Sequence, residues 1–154
     1  ALLDIGIYPV FLSLLVLGYP DEIIAEAIIG ETGVDESNSI ILKYKNGSMA
    51  SLNSTFRVNT DTSAEISGTK GRILLNRMFF APTSLSVHIE GEGKSQHEFT
   101  VKKNGYEYEA EEAMNCLDKG LIESPTLSLD FTSSLMKLLD EIRERIGLVY
   151  DEDE

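Results

Sequence analysis

The stretch Ser39-Ile-Ile-Leu-Lys-Tyr-Lys-Asn-Gly-Ser-Met-Ala-Ser-Leu-Asn-Ser-Thr-Phe-Arg-Val58 decides the fold. Two β-prone runs, Ser39 to Tyr44 and Met49 to Val58, flank Lys45-Asn46-Gly47-Ser48. An Asn-Gly pair readily takes the positive φ angles of a tight turn between antiparallel strands. The chain is therefore expected to double back here as a hairpin. Asn46-Gly47-Ser48 and Asn53-Ser54-Thr55 also fit a glycosylation sequon, which we read as chance in the absence of secretory signals.

Working outward, Glu22 to Gly30 is rich in isoleucine and bounded by turn residues, so it reads as a strand before the hairpin. Glu31 to Asn38 reads as the loop between them. On the other side, Ala64 to Gly68 and Arg72 to Leu75 form a strand pair around Thr69-Lys70-Gly71. A glycine-lysine loop can suggest an anion site, but phosphate loops of known mechanism lead from a strand into a helix, and this one leads into a strand. Ser84 to Glu90 and His97 to Lys102 alternate apolar with polar residues, joined by Gly91-Glu92-Gly93-Lys94.

Helical patterns occupy the ends. Residues 1 to 17 are apolar on nearly every side, as in a helix buried on most faces, and Gly18 and Pro20 stop it. Pro9 removes one backbone donor inside this helix and predicts an irregular turn. Tyr106 to Lys119 stops at Gly120. Ser128 to Ile146 carries a stripe of Phe131, Leu135, Leu138, Leu139, Ile142 and Ile146. Strands grouped together with helices at the ends predict an α+β fold, a mostly antiparallel open-faced sheet of six or seven strands with helices on one face.

Within the leading helix, Asp4 and Tyr8 lie four apart and so share a face, one turn from each other. A carboxylate beside a phenol can bind a hydroxyl and move a proton. It can equally be a helix cap followed by a core tyrosine. Residue types alone leave both readings open.

The string Leu3-Asp4-Ile5-Gly6-Ile7-Tyr8, followed by an apolar helix ending at Gly18, resembles the Asp/Gly/His-or-Tyr motif of the oxidoreductase family of glucose-fructose oxidoreductase, inositol 2-dehydrogenase and dimeric dihydrodiol dehydrogenase. Ala64-Glu-Ile-Ser-Gly-Thr-Lys-Gly-Arg-Ile73 and the tail from Tyr106 through Cys116, Gly120, Glu123-Ser124-Pro125 and Asp140-Glu141-Ile142-Arg143 to Leu148 are also similar to that family's second domain. The resemblance implies a single C-terminal substrate-binding and dimerisation domain over residues 1–154. The family's preceding dinucleotide-binding domain, with its catalytic lysine, is expected to be absent from this chain. NAD or NADP, a small-molecule sugar, polyol or dihydrodiol-type substrate, and a homodimer through the open sheet face follow as expectations. Asp4 and Tyr8 match the family's positions for substrate binding and proton transfer, and the 154 residues alone are expected to be inactive. The rival expectation is a non-catalytic interaction module.

Charge and composition narrow the partners. A net charge of −13, from 26 acids against 13 bases, argues against nucleic acid and anionic membrane, which need a basic face. The apolar run of residues 10 to 17 is too short to span a bilayer. A single cysteine, Cys116, fits a reducing compartment, so a cytoplasmic location is expected, and a small buried hydrophobe is its simplest role. His88 and His97 lack companions at ligand spacing, so no metal site is expected. Met49, Ala50, Leu52 and Phe56 are expected to serve the dimer face.

Overall fold

A computed structural model describes residues 1–81, 84–101 and 105–150. The strands expected at Glu22, at the Asn46-Gly47 hairpin and beyond are all present, together with the three helices, and the α+β class holds. Their order is a π turn over Leu2–Gly6, α1 (Ile7–Leu17), β1 (Glu22–Ile29), β2 (Asp35–Lys43), β3 (Met49–Thr55), β4 (Ala64–Gly68), β5 (Gly71–Leu75), β6 (Ser84–Ile89), β7 (Gly93–Glu98), α2 (Tyr106–Asp118) and α3 (Leu129–Ile146). All described strand pairs are antiparallel, but the single open sheet expected is instead two, a three-stranded sheet, β1-β2-β3, and a four-stranded sheet, β4-β5-β6-β7. The chain divides correspondingly into two compact units, Ala1–Asn59 with Leu127–Glu154, and Thr60–Thr126.

In the first unit, α1 and α3 lie over one face of the three-stranded sheet. Alternation drives this. Ile23 and Ala25 of β1 and Ile40 and Leu42 of β2 point inward and are buried, while Ile24 and Ile41 point outward. Leu138, Leu139 and Ile142 of α3 pack against them with at most 1% exposure. Each such side chain contributes roughly 1.5–3 kcal/mol when removed from water. Phe11 of α1 meets Phe131 of α3 edge to face, centroids 5.2 Å apart. Ser128 caps α3 by accepting the Phe131 N–H at 3.2 Å, and Gly147, at φ 67, closes it with Leu148 N–H donating to the Arg143 carbonyl.

Four further expectations need correction. First, β2 begins at Asp35, four residues before the expected Ser39, because its polar residues Asp35 and Asn38 find partners in the interior. Second, β7 starts at Gly93 and ends at Glu98, with only Glu90-Gly91-Glu92 left as connector. Gly91 and Gly93 both take positive φ, which tightens the turn and shifts the strand upstream; Lys102 lies outside the described residues, as do 151–154. Third, α1 is half-covered: Val10, Ser13 and Leu14 are buried, but Leu15 is 60% exposed and Val16 44%. One side of a helix can meet the sheet and α3, and the other faces away. Fourth, Ala50 and Leu52 pack into the core, while Met49 and Phe56 are exposed. Neighbouring strand residues point to opposite faces, so Met49 and Ala50 cannot serve the same surface.

In the second unit the β4–β5 turn holds Thr69 and Lys70 between Gly68 and Gly71, as the hairpin reading requires. Gly71 has φ 154, and a Cβ there would stand 2.1 Å from the His88 carbonyl oxygen on β6. Only glycine lets these two backbones approach so closely.

Candidate active site

The leading segment starts with an irregular turn. Both Ile5 and Gly6 donate to the Ala1 carbonyl, each at 3.0 Å, which widens the helix over Leu2–Gly6 before α1 begins at Ile7. Pro9 is the third residue of α1. Its ring would press on the carbonyl of Ile5 in a regular helix, and the wide turn relieves that contact. The irregularity expected at Pro9 thus sits one turn upstream. Ser13 donates its hydroxyl to the Pro9 carbonyl at 2.9 Å, a bond back to the preceding turn of the helix.

Asp4 lies in the π turn and Tyr8 is the second residue of α1. Both are exposed, Tyr8 at 41%. The core-tyrosine reading therefore fails. So does the cap reading of Asp4, because the first turn is capped from elsewhere. Asp35, on β2 and 1% exposed, accepts the Leu2 N–H on Oδ2 at 2.8 Å, and its Oδ1 lies 2.7 Å from the backbone nitrogen of Ala1. Asn38 donates its Nδ2 to Asp35 Oδ2 at 2.9 Å and accepts the Ser54 hydroxyl from β3 at 3.0 Å.

Sequence reasoning missed this trio. Glu31 to Asn38 is polar enough to read as loop, yet the eight-residue β1 needs a partner of matching length, and that mismatch was the available signal. Asp35 and Asn38, three apart, would face opposite sides of a regular strand. The β1–β2 register skips Glu36, pairing Ile28 with Ser37 and Ile29 with Asp35, and this bulge turns both side chains inward.

Other candidates carry less chemistry. Cys116 is buried on α2, and burial together with the nearby Glu112 carboxylate pushes its thiol up, so it stays protonated and unreactive. Glu112 accepts hydrogen bonds from Ser124 at 2.6 Å and Thr126 at 3.5 Å, and these hold its carboxyl below the usual range. His88 opposes Lys94 and His97 opposes Leu85, so the two imidazoles are not cross-strand partners. Among the described residues no group of three or more His, Cys, Asp or Glu side chains could hold a metal ion, and no helix is long and apolar enough to cross a membrane.

Residues 1–74 match the model of the GFO/IDH/MocA C-terminal domain. Trans-1,2-dihydrobenzene-1,2-diol dehydrogenase of Xenopus tropicalis is 39% identical over 158 residues, covering 97% of this chain and 48% of that protein. The first 74 residues of this chain carry the family's C-terminal domain. Solved structures share the fold. An oxidoreductase from Agrobacterium radiobacter, in complex with NAD+, L-tartaric acid and magnesium, superimposes with TM-score 0.75 at 17% identity, over 96% of this chain and 47% of that one. A 3-ketoreductase from Actinomadura kijaniata in complex with NADP gives TM-score 0.76 at 24% identity, over 95% and 47%. At these identities the likeness concerns the fold alone. The chain spans about half the length of the relatives it matches.

Proposed function

We propose that this GFO/IDH/MocA domain is the substrate-binding and dimerising half of an NAD(P)-dependent oxidoreductase acting on a dihydrodiol, polyol or sugar. The 39% identity to dihydrodiol dehydrogenase, sustained over 97% of the chain, carries this reading. Exposure of both Asp4 and Tyr8 on the leading helix supports it, since neither side chain is consumed by the core.

A nicotinamide cofactor bound outside these residues would supply the hydride acceptor for the hydroxyl-bearing carbon. The hydroxyl proton must then move to a base as the carbonyl forms. We assign Tyr8, at its phenolic oxygen, a share in moving that proton, with a lysine outside these residues as its cationic partner or as the group that exchanges the proton itself. Asp4, one turn earlier, holds the substrate hydroxyl in place. The outward face of the three-stranded sheet, with Ile24, Ile28, Ile41 and Met49 exposed, suits pairing with a second copy, and light scattering at micromolar concentration should give a dimer mass. We place the protein in the cytoplasm, consistent with its single unpaired cysteine.

The decisive assay uses the full-length protein with NADP+ or NAD+ and trans-1,2-dihydrobenzene-1,2-diol. Tyr8→Phe should lower turnover by roughly 10²-fold or more, the scale of a lost general acid or base. Unchanged turnover in that variant removes Tyr8 from the mechanism.

A further inference from the structure

The turn that carries Asp4 is bonded at one end, and closely approached at the other, by side chains of the sheet. At Leu2, on its near side, the amide donates to Asp35 Oδ2 at 2.8 Å. At Gly6, on its far side, the backbone lies so close to β3 that a Cβ would stand 3.0 Å from the Ser54 hydroxyl oxygen. Asn38 joins the two supports, donating to Asp35 and accepting from Ser54. Asp4 lies midway between them, and Tyr8 follows two residues after Gly6.

A carboxylate that is 1% exposed costs several kcal/mol unless its oxygens are satisfied. Here Oδ2 accepts from both the Leu2 amide and the Asn38 amide, and Oδ1 lies 2.7 Å from the Ala1 nitrogen. Hydrogen bonds to an ionised acceptor are roughly twice as strong as neutral ones, and first-turn N–H groups have no acceptor within the helix. The arrangement depends on the β2 bulge, a feature over-represented beside active sites, where it re-aims a side chain. A small apolar residue at position 35 would fill space without holding the turn.

We propose that Asp35 is a positioning residue, which through Asn38 and Ser54 sets the placement of Asp4 and Tyr8 against the substrate. The proposal rests on the reading of Asp4 and Tyr8 as substrate-facing groups. It assigns Asp35 no contact with substrate and no proton transfer.

The test uses the full-length protein with NADP+ and trans-1,2-dihydrobenzene-1,2-diol, together with amide hydrogen exchange. Asp35→Ala should lower kcat by about 10- to 100-fold, the scale of a misplacement near 1 Å, with KM changed by less than about twofold. Amide protection should fall across Leu2 to Tyr8 and persist at Ile40 and Leu42. Asp35→Asn can keep an oxygen toward the Leu2 and Asn38 amides while its own amide faces the Ala1 nitrogen, and should be impaired less than Asp35→Ala. Asn38→Ala cuts the link from Asp35 to Ser54 and should lower kcat and Leu2–Tyr8 protection in the same direction with KM nearly unchanged, a split that general loss of stability does not produce.

Unaltered kcat and unaltered protection in Asp35→Ala overturn the proposal. If that variant does not fold, unaltered kcat and unaltered protection in Asn38→Ala overturn it instead. If the wild-type protein oxidises no dihydrodiol, the functional reading fails separately. Hydrogen exchange then decides whether Asp35 fixes the turn, with retained protection in Asp35→Ala again the contrary result.

Discussion

The two units of this chain use the same antiparallel hairpins and the same alternation of apolar and polar residues, yet they bury very different interiors. Every side chain below 2% exposure among the described residues, from Leu2 and Val10 to Leu138, Leu139 and Ile142, lies in Ala1–Asn59 with Leu127–Glu154. Among the described residues of Thr60–Thr126 only Ser86 and Cys116 are buried, and Ile66, Ile73, Leu75, Leu85 and Val87 are half-buried. β7 is exposed along its whole length. A sheet face becomes a core only when a second layer lies on it, and α1 and α3 supply that layer for β1-β2-β3. Alternation in a strand therefore predicts orientation, and the covering helices decide how much that orientation contributes to stability.

The largest effect should come from the first unit. Leu138→Ala deletes most of a fully buried side chain and should destabilise by about 2–5 kcal/mol, read as a lower urea midpoint. The equivalent truncation at half-buried Val87 should cost clearly less, and equal losses would break the contrast between the units.

A smaller but still local effect belongs to the second unit. Gly71→Ala forces a Cβ toward the His88 carbonyl at a φ of 154, and strain of this kind costs of order 1–3 kcal/mol. The loss should appear as faster hydrogen exchange at the β5–β6 pairing, with protection in β1–β3 retained. Uniform loss across both sheets would mean that the units are energetically inseparable.

The smallest effects are electrostatic and opposite in pH. Burial and the Glu141 carboxylate, which accepts the Tyr19 hydroxyl at 3.0 Å, push Tyr19 up to about 12. Its folded value lies above its unfolded value of 10.0, so its contribution is complete below pH 10 and fades as pH rises toward 12. Glu112 is shifted the other way, mainly by the Ser124 hydroxyl, so its contribution is present above its ordinary value of 4.5 and is lost as pH falls below it. Tyr19→Phe should flatten the alkaline limb of stability in the first unit, and Glu112→Gln the acid limb in the second. A pH–stability curve unchanged by either variant would remove that group from the account.

Much of this was legible residue by residue. The α3 stripe, its Ser128 cap and its Gly147 stop lie within a few positions of one another, and each acts through local geometry. The Asn46-Gly47 turn and the Gly68-to-Gly71 hairpin are equally local. Asp4 and Tyr8 could be picked out from their spacing and the family motif. Missed were the early start of β2 at Asp35, the upstream shift of β7, the exposed side of α1 and the inward direction of Ala50 and Leu52. Each of these depends on what lies opposite in space.

Periodicity, caps, turn residues and the motif around Asp4 and Tyr8 were settled by the order of amino acids, because those signals act over one or two turns of chain. The division of seven strands into two sheets, the cover over one of them and the support of the Asp4 turn by Asp35 were settled only by the tertiary structure. Leu2 and Asp35 stand 33 positions apart. Nothing near either residue marks the other as its partner, since a buried carboxylate and a helix's unsatisfied amide find each other only once the sheet has brought them together.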